Sequence, residues 1–126
     1  MENALFQWGP FTSHSGPPLS WKICTEALSV SDWQTIAKRV AQTLPFGRVL
    51  GIPRGGIVFA ECLKPYATAG LPGILVVDDV LTTGTSMRQA LAELDGAGTG
   101  VVLFARGPIP DDLPVVAVFH LGGIFQ

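Results

Sequence analysis

The sequence predicts an α/β domain: a mostly parallel, twisted sheet flanked by helices and preceded by a short irregular N-terminal segment. Three observations point there. Runs rich in branched apolar residues, Phe46–Ile52, Ile74–Val77, Val101–Ala105 and Val115–Phe119, lack the in–out alternation of half-exposed strands and suit a sheet covered on both faces. Segments with helical spacing separate most of these runs, and strands alternating with helices build parallel sheets. A chain of 126 residues, 48% hydrophobic and only 14% charged, can bury one sizeable core but has no length for a second domain.

Residues 1–30 carry Phe6, Trp8, Phe11 and Trp21 among turn-forming residues. Two short strands are expected, around Phe11–His14 and Trp21–Cys24, joined by a turn at Ser15–Pro18, with the aromatics covering an edge of the core. The core proper spans 31–126. A helix is expected to start with Ser31 as its capping hydroxyl and Asp32 in its first turn, since Trp33, Ile36, Ala37, Val40, Ala41 and Leu44 recur at helical spacing. Pro45 stops it. After the strand Phe46–Ile52 comes the loop Pro53–Gly56, then an apolar helix from Ile57 to Leu63 or Lys64 that Pro65 ends. A second amphipathic helix, Ser86–Leu94, presents Met87, Ala90, Leu91 and Leu94 on one face and closes at Asp95–Gly96. There is no repeat, linker or low-complexity tail.

Several function classes are disfavoured at once. A net charge of −2 without clustered Lys or Arg argues against a nucleic-acid surface. No apolar run nears the roughly 18 residues that span a bilayer, and the N-terminus, with Glu2 and Pro10 and no basic start, does not read as a secretory signal, so a cytoplasmic protein is expected. Cys24 and Cys62 lack metal-ligand spacing and read as small core residues in a reducing compartment. The high apolar fraction also leads one to expect a subunit interface, and hence a homodimer.

Chemistry concentrates in Ile74–Ser86. Asp78 and Asp79 stand at the C-terminal end of a buried strand, the side of an open α/β sheet where ligands bind. The loop Thr82–Ser86 adds hydroxyls, a glycine able to take positive φ, and amides at a helix start, a combination suited to phosphate. An acidic pair alone could belong to a magnesium-dependent phosphoacceptor site or merely cap the next helix, but neither accounts for the whole Asp-Asp-x-x-Thr-x-Gly-Thr pattern. A second loop, Gly51–Gly56, follows a strand and opens a helix; it lacks the Gly-Lys-Ser/Thr ending of a nucleoside-triphosphate loop, yet Arg54 beside Gly55 and Gly56 can bind an anion. Gly96–Gly100 lies after a helix, where a dinucleotide fingerprint cannot be, and reads as a turn.

At these residues the chain resembles the type I phosphoribosyltransferases. Val76–Thr85 is similar to that family's motif for phosphoribosyl pyrophosphate (PRPP), and Ile52–Gly56 to its pyrophosphate loop, which often carries a non-proline cis peptide. The resemblance implies that Asp78 and Asp79 face the ribose hydroxyls, directly or through Mg²⁺, and act in catalysis with Arg54. It implies that Val80, Leu81, Thr82, Thr83, Gly84, Thr85 and Ser86 complete the PRPP site and hold the 5-phosphate, and that Pro53, Arg54, Gly55 and Gly56 meet pyrophosphate. Within the family the likeness is greatest to the orotate enzymes. Phe11–Gly16 is similar to their base-contacting hood, with His14 where a lysine is common, and Phe104-Ala105-Arg106 to a strand end whose arginine meets the substrate carboxylate, with Ala105 in place of the usual aspartate. His14 and Arg106 are thus the candidates for the base, and Thr82 stands where purine-salvage members tend to place an aspartate.

One departure bears on activity. The family inserts a strand and a long basic loop between the pyrophosphate-loop helix and the central strand, whereas here only Glu61–Gly73 remains, with Lys64 and Tyr66 as its polar candidates. Loss of pyrophosphate passes through a cationic, water-sensitive transition state that such a loop shields. The expected function is Mg²⁺-dependent transfer of a phosphoribosyl group from PRPP to a small, pyrimidine-like base. A non-catalytic sensor of PRPP or a nucleotide on the same loops is the alternative, and a purely structural domain would leave both phosphate loops unexplained.

Overall fold

The computed structural model describes residues 4–11 and 19–121. Two strands, β1 (Phe6–Phe11) and β2 (Leu19–Ile23), pair as an antiparallel hairpin whose register slips between Trp8 and Phe11. The first strand therefore begins five residues before the expected Phe11. Pro10 lies inside it, which an edge strand with a register irregularity tolerates. The expected turn at Ser15–Pro18 and His14 lie outside the described residues. A 3-10 turn, Thr25–Ala27, follows the hairpin.

Helix α1 spans Val30–Thr43, and its cap is Ser29 rather than Ser31. The Ser29 hydroxyl accepts from the Asp32 amide at 3.0 Å and the Asp32 carboxylate accepts from the Ser29 amide at 2.9 Å. This is a capping box closed by Asp instead of the commoner Glu or Gln. Strand β3 covers Arg48–Gly51 and helix α2 covers Ile57–Leu63. The α-helix ends at Leu63, ahead of Pro65 as expected, and Lys64–Tyr66 follows as a 3-10 turn that takes Pro65 in its first positions, where no amide is needed.

Strand β4, Ile74–Leu81, runs through both carboxylates instead of stopping before them. Helix α3 is Thr85–Ala92, β5 is Gly98–Ala105 and β6 is Val115–His120. The expected turn over Gly96–Gly100 is shorter than thought: Asp95 and Gly96 carry the positive φ values, 53° and 86°, and Gly98 already pairs with Ile74.

β3, β4, β5 and β6 lie side by side in chain order, and every pair is parallel. The core has two halves, one on each face of this sheet. Trp33, Ala37 and Val40 of α1 and Phe59, Ala60 and Leu63 of α2 pack with Leu75, Val77, Val101 and Leu103. Met87 and Leu91 of α3 pack with Val76 and Val102 on the opposite face. Trp33 and Phe59 meet at 5.2 Å between ring centres. Because α2 and α3 link strands that step in the same direction yet lie on opposite faces, the two crossovers have opposite hands, and one is of the rare left-handed kind. The hairpin aromatics divide: Phe6 sets its edge against Phe104 at 6.1 Å, whereas Trp8 is 86% exposed and covers nothing of the core. Cys24 and Cys62 are free and half-buried, with Cys62 packed against the α1–α2 core. Among the described residues no helix is long and apolar enough to cross a membrane.

Candidate active site

The C-terminal ends of β3, β4 and β5 converge, and each delivers one of the sequence-predicted groups. From β4, the Asp78 carboxylate oxygen Oδ1 accepts from the Asp79 amide at 2.8 Å, and Asp79 Oδ1 accepts from the Val80 amide at 2.8 Å. The two carboxylates occupy different surroundings. Burial, then hydrogen bonding and repulsion from Asp79, pushes the Asp78 carboxyl up to about 7, as expected of one of two adjoining acids withdrawn from water. Val80 and Leu81 turn into the core, Leu81 being fully buried, so these two offer the site only backbone.

The polar loop then turns on Gly84, whose φ of 85° is left-handed and open to glycine without cost. α3 starts at once, its first intrahelical bond running from the Arg88 amide to the Gly84 carbonyl at 2.8 Å. Thr83 and Thr85 hydroxyls sit 3.0 Å apart, and Thr82, Thr83, Thr85 and Ser86 are all exposed at the helix N-terminus. Hydroxyls and unpaired amides thus face solvent together at a helix start, the geometry in which proteins bind anions.

From β3 comes the second loop. The Pro53–Arg54 peptide is cis, the non-proline cis bond that the resemblance implies. Pro53 and Arg54 are exposed. Gly55 lies so near β4 that a Cβ there would overlap the Asp79 carboxylate, and one on Gly56 would overlap the Val77 carbonyl. The Arg54 loop therefore sits against the acidic end of β4, and Gly55 is the point where they touch. Beside them opens a cleft of about 420 Å³ lined by Thr25, Trp33, Arg54, Gly55, Val58 and Asp79.

From β5, the Arg106 amide donates to the Leu81 carbonyl at 3.0 Å, which seats Arg106 next to the motif. Its guanidinium lies 3.7 Å from the centre of the Trp21 ring, and burial lowers its pKa from the ordinary value. Stacking on an indole face leaves the in-plane N–H groups for a ligand. Lys64 and Tyr66 are elsewhere: they stand at the far end of α2, where Lys64 pairs with Glu61. Sequence reasoning missed Thr25, whose hydroxyl donates to Asp79 Oδ2 at 2.7 Å across 54 residues of chain. No local pattern marks a contact of that span.

No family model matches the chain. A curated relative, envelope glycoprotein gp130 of feline foamy virus, is 24% identical over 121 residues, covering 87% of this chain; the chain spans only 12% of that protein's length. Solved structures are similar throughout the fold. UMP synthase of Leishmania donovani matches with a TM-score of 0.69 and 20% identity over 94% of this chain and 34% of that one. Adenine phosphoribosyltransferase of Leishmania tarentolae matches at 0.67 and 13% identity, covering 96% and 89%. Orotate phosphoribosyltransferase of Mycobacterium tuberculosis matches at 0.65 and 14%, covering 92% and 89%. The chain thus has the fold of phosphoribosyltransferases of known structure.

Proposed function

We propose that the chain binds PRPP with Mg²⁺ and transfers its 5-phosphoribosyl group to a small, pyrimidine-like base, releasing pyrophosphate. The observation that carries this reading is the contact of Gly55 with Asp79, which joins an anion loop bearing Arg54 to an acidic pair and a second anion loop. A ligand with phosphate at one end, a diol in the middle and pyrophosphate at the other matches that order of groups. Thr82–Ser86 hold the 5-phosphate through hydroxyls and helix amides, Asp78 and Asp79 accept from the ribose hydroxyls, and Arg54 with the Gly55 and Gly56 backbone receives the leaving pyrophosphate. Arg106, seated over the Trp21 ring, takes an acidic group on the acceptor base; His14 is proposed for the same base from sequence alone.

Among the described residues there is no cluster of three or more His, Cys, Asp or Glu side chains to cage a metal. Asp78 and Asp79 retain unused lone pairs, and two carboxylates fit a Mg²⁺ whose remaining ligands are phosphate oxygens and water. When bound, the ion would neutralise charge on the leaving pyrophosphate. The proposal includes a cytoplasmic location and a homodimer, in which a neighbouring subunit closes the site; Ile57 and Val58, exposed on α2 beside the loop, favour such an interface.

A second reading, a non-catalytic PRPP or nucleotide sensor, is favoured by the connection from α2 to β4. Only residues 64–73 lie there, one 3-10 turn and a bend packed on Phe46–Arg48, with nothing that reaches over Arg54. Calorimetry with PRPP and Mg²⁺, paired with pyrophosphate release over a panel of bases, separates the readings. Turnover on a base carries the enzyme; tight binding without turnover on any base carries the sensor; no binding overturns both.

A further inference from the structure

The geometry points to Thr25 as a positioning residue for Asp79, through which the hairpin segment sets the ribose end of the site. The inference rests on the PRPP reading above and adds a residue outside both loops.

Asp79 is held at both carboxylate oxygens. Oδ1 accepts from the Val80 amide of its own strand, and Oδ2 accepts from the Thr25 hydroxyl at 2.7 Å. A carboxylate pinned at one oxygen still rotates about its Cβ–Cγ bond; pinned at both, its plane is set. One lone pair on each oxygen then remains for a ligand hydroxyl or a cation. The Cα of Gly55 closes off the side of this carboxylate, so rotation would drive an oxygen into the pyrophosphate loop or out of the site. Fixing such a group before the ligand arrives is how a binding site avoids an ordering cost.

Thr25 is built for this contact and for no local one. At 8% exposure it is the one buried polar or charged residue among the described residues. It opens the turn Thr25–Ala27, yet no side-chain hydrogen bond caps that turn, and its donor goes to Asp79 instead. The same segment carries Trp21, four residues earlier, beneath Arg106. One stretch of chain, from β2 into the 3-10 turn, therefore supports the acceptor end of the site at Trp21 and the ribose end at Thr25.

The test compares the full chain with Thr25→Val, which removes the donor at nearly constant volume, Thr25→Ser, which keeps it, Asp79→Asn, and the Thr25→Val/Asp79→Asn pair. Each is titrated with PRPP in Mg²⁺ and, separately, with inorganic phosphate, which needs only Thr82–Ser86. Thr25→Val is expected to weaken PRPP binding about tenfold, the scale of a lost hydrogen bond to a charged group, with phosphate binding unchanged. Thr25→Ser should stay within about twofold of wild type. In the double variant the valine should add almost nothing to the asparagine, because both changes act on one carboxylate. Wild-type PRPP affinity in Thr25→Val, equal loss of phosphate and PRPP, no rescue by serine, or additive losses would each overturn the inference while leaving the PRPP reading standing. A wild-type chain that fails to bind PRPP removes that reading and this one with it.

Discussion

Gly55 and Asp78 show how single residues set what the site can do. Gly55→Ala would place a methyl group on the Asp79 carboxylate. The obstacle is a side-chain carboxylate already held at both oxygens, so it must swing away from its partners or the Arg54 loop must shift, and PRPP affinity in calorimetry should fall by about 10- to 100-fold, with the circular dichroism spectrum retained; the cost is that of overpacking by a methyl group, on the order of 1–3 kcal/mol. Asp78 makes a prediction about pH. Its folded pKa is raised from 3.8 to about 7, first by burial, so the folded state favours the protonated acid and stability falls as pH rises from about 4 through about 7. Asp78→Asn removes the penalty. Thermal melts should show it more stable than wild type at pH 8, by ~5 °C, and indistinguishable below pH 4. The same variant should bind PRPP more weakly, so stability and binding move in opposite directions.

At the scale of elements, what could be read from the sequence depended on how local the cause is. The buried strand Ile74–Val77, the Gly84 turn and the Met87/Leu91 face of α3 are announced by adjacent residues, and each formed close to where it was expected. Helix α1 was legible in its apolar spacing but not at its start. Ser29 and Ser31 are both capping residues, and the choice falls to Ser29 because it stands three positions before Asp32 and can exchange bonds with it. Ser29→Ala should therefore cost about 1 kcal/mol in denaturant titration, whereas Ser31→Ala, at an exposed helical position, should cost nothing measurable. β1 opens at Phe6, ahead of the expected Phe11, and the hairpin shows why Pro10 can lie inside it: on an edge strand with a register irregularity its missing amide is not needed. Thr25 was not legible at all, since its partner is fixed by the arrival of β4 beneath the hairpin segment rather than by any neighbour in sequence.

At the scale of the molecule, the sheet is a thin partition between two small cores, and its stability is concentrated on the α1–α2 side. Phe59, fully buried, meets Trp33 and holds α2 to the sheet immediately behind the Arg54 loop. Phe59→Ala should lower the unfolding free energy by about 3–5 kcal/mol in denaturant titration, a large fraction of the margin of a domain of this size. Met87→Leu, a swap of similar volume on the other face, should cost less than about 1.5 kcal/mol. The fold class and the order of strands and helices were legible, because buried runs and amphipathic runs alternate. The handedness of the crossovers was not, as no residue pattern encodes which face a helix crosses.

The opposite hands of those crossovers have a consequence for the margins of the sheet. With every strand parallel and each laid beside the last, β3 and β6 remain its two edges, and Leu50 on β3 is 38% exposed. The ten residues 64–73, folded against Phe46–Arg48, lead from α2 to β4 without adding a strand beyond β3.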